Sequence, residues 1–246
     1  MLQDLHSHTY YSYCGKDSPE TLIKAAIKNG VETLGITDHY YGIVMNKKGF
    51  EYPDDEMKIS MHSNALKRYY DHIKTLAYIY RDHINVKCGV EISAVDWGAM
   101  LLPDGVDVSY FDYCLVEYLN AENAVVSDLF EFAKRLGSKY VGIAHLNLPQ
   151  YLKTRDFDIE TYFKKMAENN IFWELNVNRD SIHNYREHAY VNEFFENTDI
   201  IDIVKRTGVT LSVGFDSHII EEYDVSRVKY ACSLLEKLSI PMLKLD

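Results

Sequence analysis

The sequence has little of what divides a chain into flexible pieces. Only 5 Pro and 12 Gly occur in 246 residues, and no stretch concentrates Pro, Gly and Ser. No interdomain linker is expected, so residues 1–246 read as one domain. Internal repeats and low-complexity tracts are also missing. Cationic residues are the minority, 26 Lys and Arg against 37 Asp and Glu, for a formal net charge of -11. So acidic a chain repels polyphosphate backbones, which argues against nucleic acid as a partner. Small anionic substrates stay open, because divalent cations reverse the local field. No apolar run approaches the ~20 residues that span a bilayer, so no membrane association is expected. Met1–His6 lacks the positive and apolar regions of a signal peptide. The four cysteines, Cys14, Cys88, Cys114 and Cys232, are dispersed and form no Cys-x-x-Cys pair. They read as reduced thiols of a cytoplasmic protein.

What is present is a hydrophobic content of 47%, enough for a full core. The apolar segments alternate between two periods. Strand-like runs are Gln3–Leu5, Thr33–Thr37, Asn85–Glu91, Tyr110–Val116, Tyr140–Ala144, Ile171–Asn176 and Val209–Val213. Between them lie helical patterns. The first has Ser18 as N-cap, Pro19 in the first turn and an apolar face of Leu22, Ile23, Ala26 and Ile27. Others cover Asp55–Asp82, Asp128–Leu136, Asp158–Asn169, a helix within Glu187–Thr207, and Val225–Leu238. Seven strands alternating with helices predict an α/β protein with a parallel sheet, open or closed into a barrel.

Metal-ligating residue types recur just after these strands. His6 and His8 follow the first, Asp38 and His39 the second, and Glu91 the third. His145 follows the fifth, and Asp216 with His218 the seventh. In parallel α/β folds the C-terminal strand ends form the active-site face, so these groups converge although they span over 200 residues of sequence. A His-x-His on a strand points both imidazoles to one side. A carboxylate in an apolar run such as the one before Glu91 is costly unless paired or metal-bound. His62, His72, His83, His183 and His188 fall in helical or loop stretches and read as surface residues. Tyr10 and Tyr11, next to the His-x-His, are placed to line the pocket.

At these residues the chain resembles the polymerase and histidinol phosphatase (PHP) family. The matching stretches are Asp4–Thr9, Gly35–His39, Gly89–Glu91, Gly142–His145 and Gly214–His218, in the family's order. The resemblance implies a distorted (β/α)7 TIM-like barrel, one to three divalent metals per chain (zinc, manganese or iron), and hydrolysis of phosphate esters. It implies that His6, His8, Glu91 and Asp216 hold one metal. Glu91 would bridge to a second with His145, and His39 with His218 would hold a third. Two positions depart from the family pattern. Where the family has a His or Asp after the His-x-His, this chain has Cys14-Gly15-Lys16-Asp17. The family's His after the fourth strand is missing from Asp112–Leu119. Three readings stay open: Asp17, Cys14 or Glu117 substitutes as ligand, fewer metals bind, or Lys16 replaces a metal's charge beside a helix N-terminus.

The implied function is hydrolysis of a small phosphomonoester by a metal-activated water, closest to the histidinol-phosphatase-like branch. His145 and His218 are candidate proton donors to the leaving group. Arg179 and Lys16 are candidate phosphate-binding residues. The alternatives are a nucleotide or phosphotyrosine phosphatase of the same family, and a non-catalytic metal-binding domain.

Overall fold

A computed structural model describes residues 1–44, 52–96 and 101–245. Seven parallel strands are paired in chain order: β1 (Gln3–Asp4), β2 (Thr33–Ile36), β3 (Asn85–Ser93), β4 (Tyr113–Glu117), β5 (Val141–Ile143), β6 (Ile171–Asn176) and β7 (Leu211–Gly214). The ring closes beyond β1, where Leu5 N donates to Val213 O at 2.8 Å. Ser7 then bridges Ser217, and His8 N donates to Ser217 O at 2.8 Å. The result is a nearly closed, distorted (β/α)7 barrel. No helix among the described residues is long and apolar enough to cross a membrane.

Nine α-helices accompany the strands among the described residues: α1 (Pro19–Lys28), α2 (Tyr40–Val44), α3 (Asp55–Tyr80), α4 (Leu129–Leu136), α5 (Leu148–Lys153), α6 (Ile159–Glu168), α7 (Ala189–Glu196), α8 (Thr198–Thr207) and α9 (Val225–Lys237). Side-chain caps start them as the sequence indicates. Ser18 accepts from Thr21 N, Asp128 from Phe130 N, and Asp158 from Thr161 N. The helix expected within Glu187–Thr207 is two helices. Asn197 ends α7 and caps α8, its side chain accepting from Ile200 N at 3.1 Å. The short α2 and α5 lack a full amphipathic period and were not anticipated.

Strand limits differ from the sequence reading in ways that matter for the site. β3 runs on to Ser93, so Glu91 lies inside the strand rather than after it. β4 starts at Tyr113 and reaches Glu117. Every residue of β4, β5, β6 and β7 is buried, as expected for strands with one face inside a barrel and the other under helices. Leu5, Tyr113, Leu115, Ala144, Phe172 and Leu243 form the inner core. Leu243 comes from the C-terminal segment, which pairs at the N-terminal ends of β1 and β7. There Leu211 N donates to Pro241 O, and Gln3 Nε2 to Leu243 O. One end of the barrel is therefore packed with apolar side chains, and polar chemistry is confined to the other.

Candidate metal centre

The C-terminal strand ends bring His6, His8, His39, Glu91, His145, Asp216 and His218 together. Six are under 9% exposed, and His145 is half-buried. Glu91 is central. Its Oε2 lies 3.3 Å from His6 Nε2, 3.4 Å from His8 Nε2 and 3.0 Å from His39 Nδ1, and its Oε1 lies 3.2 Å from His145 Nε2. Asp216 Oδ1 is 2.9 Å from His8 Nε2, 3.6 Å from His6 Nε2 and 3.7 Å from His218 Nε2.

The partners behind the histidines fix which nitrogen faces inward. His6 Nδ1–H donates to Glu174 Oε1 at 2.7 Å, because an ionised carboxylate only accepts. Ser12 Oγ–H donates to Asp38 Oδ1 at 2.7 Å, leaving its lone pairs for His39 N and, at 3.3 Å, His8 Nδ1–H. The Nε2 atoms of neutral His6 and His8 then present lone pairs only 3.1 Å apart. Glu91 Oε2 and Asp216 Oδ1 face the same point. With both imidazoles neutral these are four acceptors around one point, which repel unless a proton or a metal ion sits among them. A tetrahedral cage with metal–ligand distances of about 2.1 Å has edges of about 3.4 Å. The edges among His6, His8 and Asp216, and those from the two histidines to Glu91, run from 2.9 to 3.6 Å, so these residues fit a divalent metal.

Further buried atoms tell the same story. Among the described residues, His39 Nδ1, Glu91 Oε2 and both oxygens of Glu117 have no hydrogen-bond partner. Glu117 Oε1 lies 3.4 Å from His39 Nδ1, so His39, Glu91 and Glu117 form a second group of donor atoms. A third consists of Cys14, His39 and His218, with His8 beside them. Of the substitutes considered from the sequence, Cys14 and Glu117 thus join the cluster. Asp17 does not: its Oδ2 accepts from Ile220 N at 2.8 Å. Lys16 is exposed, and its backbone N–H donates to His218 O at 3.0 Å. Arg179 is exposed too, 3.8 Å from Glu187.

Titration follows the crowding. Burial alone would depress His6, but Glu174, Glu91 and Asp216 outweigh it and hold its pKa well above normal. Burial, aided by the charge of His39, pushes His8 down to about 3. Burial also opposes charge on His145 and His218. Glu91 nevertheless raises His145 to about 9, and Asp216 with Asp180 raises His218 to about 10. Burial would lift Glu91 and Asp216, yet the histidines hold both well below the carboxylate range. Burial and then the charge of Glu91 raise Glu117.

Several residues at the site escaped the sequence reading. Glu174 is the most important: its Oε2 accepts from His145 N at 2.7 Å while its Oε1 orients His6. Its signal was the one used for Glu91, a carboxylate in the apolar run Ile171–Asn176. Gly214 leaves the room for this pair, since a Cβ there would collide with Glu174 Oε1 and His6 Cβ. Asp180 was also missed. Its Oδ2 takes His218 Nδ1–H at 3.1 Å and its Oδ1 takes His183 Nδ1–H at 2.8 Å. This corrects the surface reading of His183, because the loop after β6 folds back over the site. His188 is corrected likewise, being half-buried and stacked on His145 with ring centroids 6.2 Å apart. His62 is buried between Tyr40 and Tyr52 hydroxyls. Tyr11 packs on Tyr69 and His72, whereas Tyr13 and Tyr41 stack on His39.

The family profile described as PHP domain matches residues 4–122. A curated protein from Acetivibrio thermocellus named "Probable phosphatase" is 27% identical over 249 residues, covering 97% of this chain and 87% of that protein. The "Probable histidinol-phosphatase" of Thermotoga maritima is 26% identical over 159 residues, 63% of this chain and 58% of that one. The crystal structure of histidinol phosphate phosphatase from Lactococcus lactis, complexed with zinc, L-histidinol and phosphate, superposes with a TM-score of 0.63. That match is 17% identical and covers 98% of this chain and 95% of the other, so the fold is shared. Residues 4–122 of the chain match the PHP domain.

Proposed function

We propose that this chain is a metal-dependent phosphatase that hydrolyses a small phosphomonoester, histidinol phosphate or a compound like it. The observation that carries the reading is the convergence of His6 Nε2, His8 Nε2, Glu91 Oε2 and Asp216 Oδ1, with each imidazole nitrogen within 3.6 Å of the other and of both carboxylates. The substrate class is taken from the phosphatase relatives and from the shared fold of the histidinol phosphate phosphatase.

His6, His8, Glu91 and Asp216 would hold the first metal. Glu91 and His145 would hold a second, with Glu117 beside Glu91 and His39. Divalent ions there supply an activated water and neutralise phosphoryl oxygens. The chain's own residues do the rest. Glu174 and the Asp38–Ser12 relay hold His6 and His8 in the required tautomers. His145 and His218 turn Nε2 toward Glu91 and Asp216, which favours ligation over proton donation. His183, anchored by Asp180 yet 35% exposed at its side chain, would protonate the leaving oxygen. Lys16 and Arg179, exposed cations on the loops after β1 and β6, would receive the phosphate.

The test is phosphate release from histidinol phosphate, nucleoside monophosphates and phosphotyrosine, with manganese or zinc supplied. The reading expects release from histidinol phosphate, and His8→Ala should abolish release and metal content together. Turnover of nucleotides or phosphotyrosine alone would keep the phosphatase and change its substrate. No release from any ester by metal-loaded protein would leave a non-catalytic metal-binding domain.

A further inference from the structure

We propose that Cys14 is a thiolate ligand to a metal held with His39 and His218, giving this end of the centre a nitrogen–sulfur donor set. The inference rests on the metal-centre reading above. Donor atoms of Cys14, His39, His218 and His8 all lie within 4.8 Å of one another. His8 already turns its Nε2 to Asp216 at 2.9 Å, which leaves the other three for a separate ion. His39 is 7% exposed and stands between this group and the Glu91–Glu117 pair, which its Nδ1 faces without a hydrogen bond. His218 has its Nδ1–H committed to Asp180, so its Nε2 is free to donate a lone pair. Cys14 is the one cysteine outside the buried interior; Cys88, Cys114 and Cys232 are all buried.

The loop that carries Cys14 is tied down from several sides. Tyr10 N donates to Asp17 O at 2.9 Å, Ser12 N to Asp38 Oδ1 at 3.0 Å, and Lys16 N to His218 O at 3.0 Å. Gly15 lies so close to the backbone of Thr9 that a side chain there would collide with it. The sulfur is therefore placed by the fold, and the Lys16 hydrogen bond locks its loop to the segment bearing His218. Thiolate with two imidazoles suits zinc, or cobalt in its place, and disfavours the hard ions magnesium and manganese.

The probe is cobalt(II), loaded into the full-length chain after chelation. A sulfur-to-cobalt charge-transfer band in the near ultraviolet is expected, and Cys14→Ser should lose it while the visible bands of nitrogen- and oxygen-bound cobalt persist. Bound cobalt without the band, or a band that survives in Cys14→Ser, overturns the proposal and leaves the metal centre standing. Failure to bind any cobalt overturns the metal-centre reading as well. Should Cys14→Ser not fold, iodoacetamide labelling of wild type followed by mass spectrometry decides. Zinc should block labelling of Cys14, and equal labelling with and without zinc counts against it.

Discussion

Glu174 organises the site without facing the point where the acceptors converge. One oxygen orients His6, and the other holds the backbone of His145, whose φ of 34° lies in the left-handed region. Glu174→Gln keeps the shape and removes the charge, and its single acceptor oxygen cannot serve both His6 Nδ1–H and His145 N–H. Metal affinity should then fall about 10- to 100-fold, measured by competition with a chromophoric chelator, while the circular dichroism spectrum stays unchanged. Asp180→Asn should weaken the Cys14–His39–His218 position selectively, lowering metal stoichiometry more than the affinity of the first position. At this scale the sequence reveals ligand types that follow strands and the His-x-His pair. It conceals Glu174, Asp180, His183 and His188, because their roles depend on a loop folding back and on hydrogen bonds across the barrel, and neither has a sequence period.

At the scale of elements, the two ends of the barrel have opposite tasks. The N-terminal end is closed by Leu243 packed among Leu5, Tyr113, Leu115, Ala144 and Phe172. Leu243→Ala should cost about 2–4 kcal/mol in denaturant unfolding through the cavity it leaves, with metal content unchanged. An equal loss of metal would mean that the two ends are coupled. Periodicity and caps disclose most strands and the long helices. The Asn197 break escapes them because a capping Asn inside an amphipathic run leaves the apolar period intact. The plug escapes because a short C-terminal apolar segment carries no signal of where it docks. The sequence does not show that Glu91 lies inside β3, because strand pairing to Ser93 depends on β4, a partner more than twenty residues away.

Across the whole molecule, the metals and the fold are linked through protons. In the metal-free chain the pKa values of His145, about 9, and His218, about 10, both exceed the ordinary 6.5. Their charged forms therefore stabilise the metal-free fold fully below pH 6.5, and this contribution vanishes as pH rises through the folded values. Metal binding has the opposite dependence, since ligands must be unprotonated to coordinate. The gap in Tm between zinc-loaded and chelated protein should thus widen from about pH 6 to about pH 9, seen by thermal scans at fixed free zinc. A gap that narrows over this range would place those histidines outside the metal shell. The most direct test of the metal centre itself is anomalous diffraction from crystals of zinc-loaded protein. The structure predicts a zinc peak bounded by His6 Nε2, His8 Nε2, Glu91 Oε2 and Asp216 Oδ1. Crystals with bound zinc elsewhere and no peak among those four atoms would contradict it.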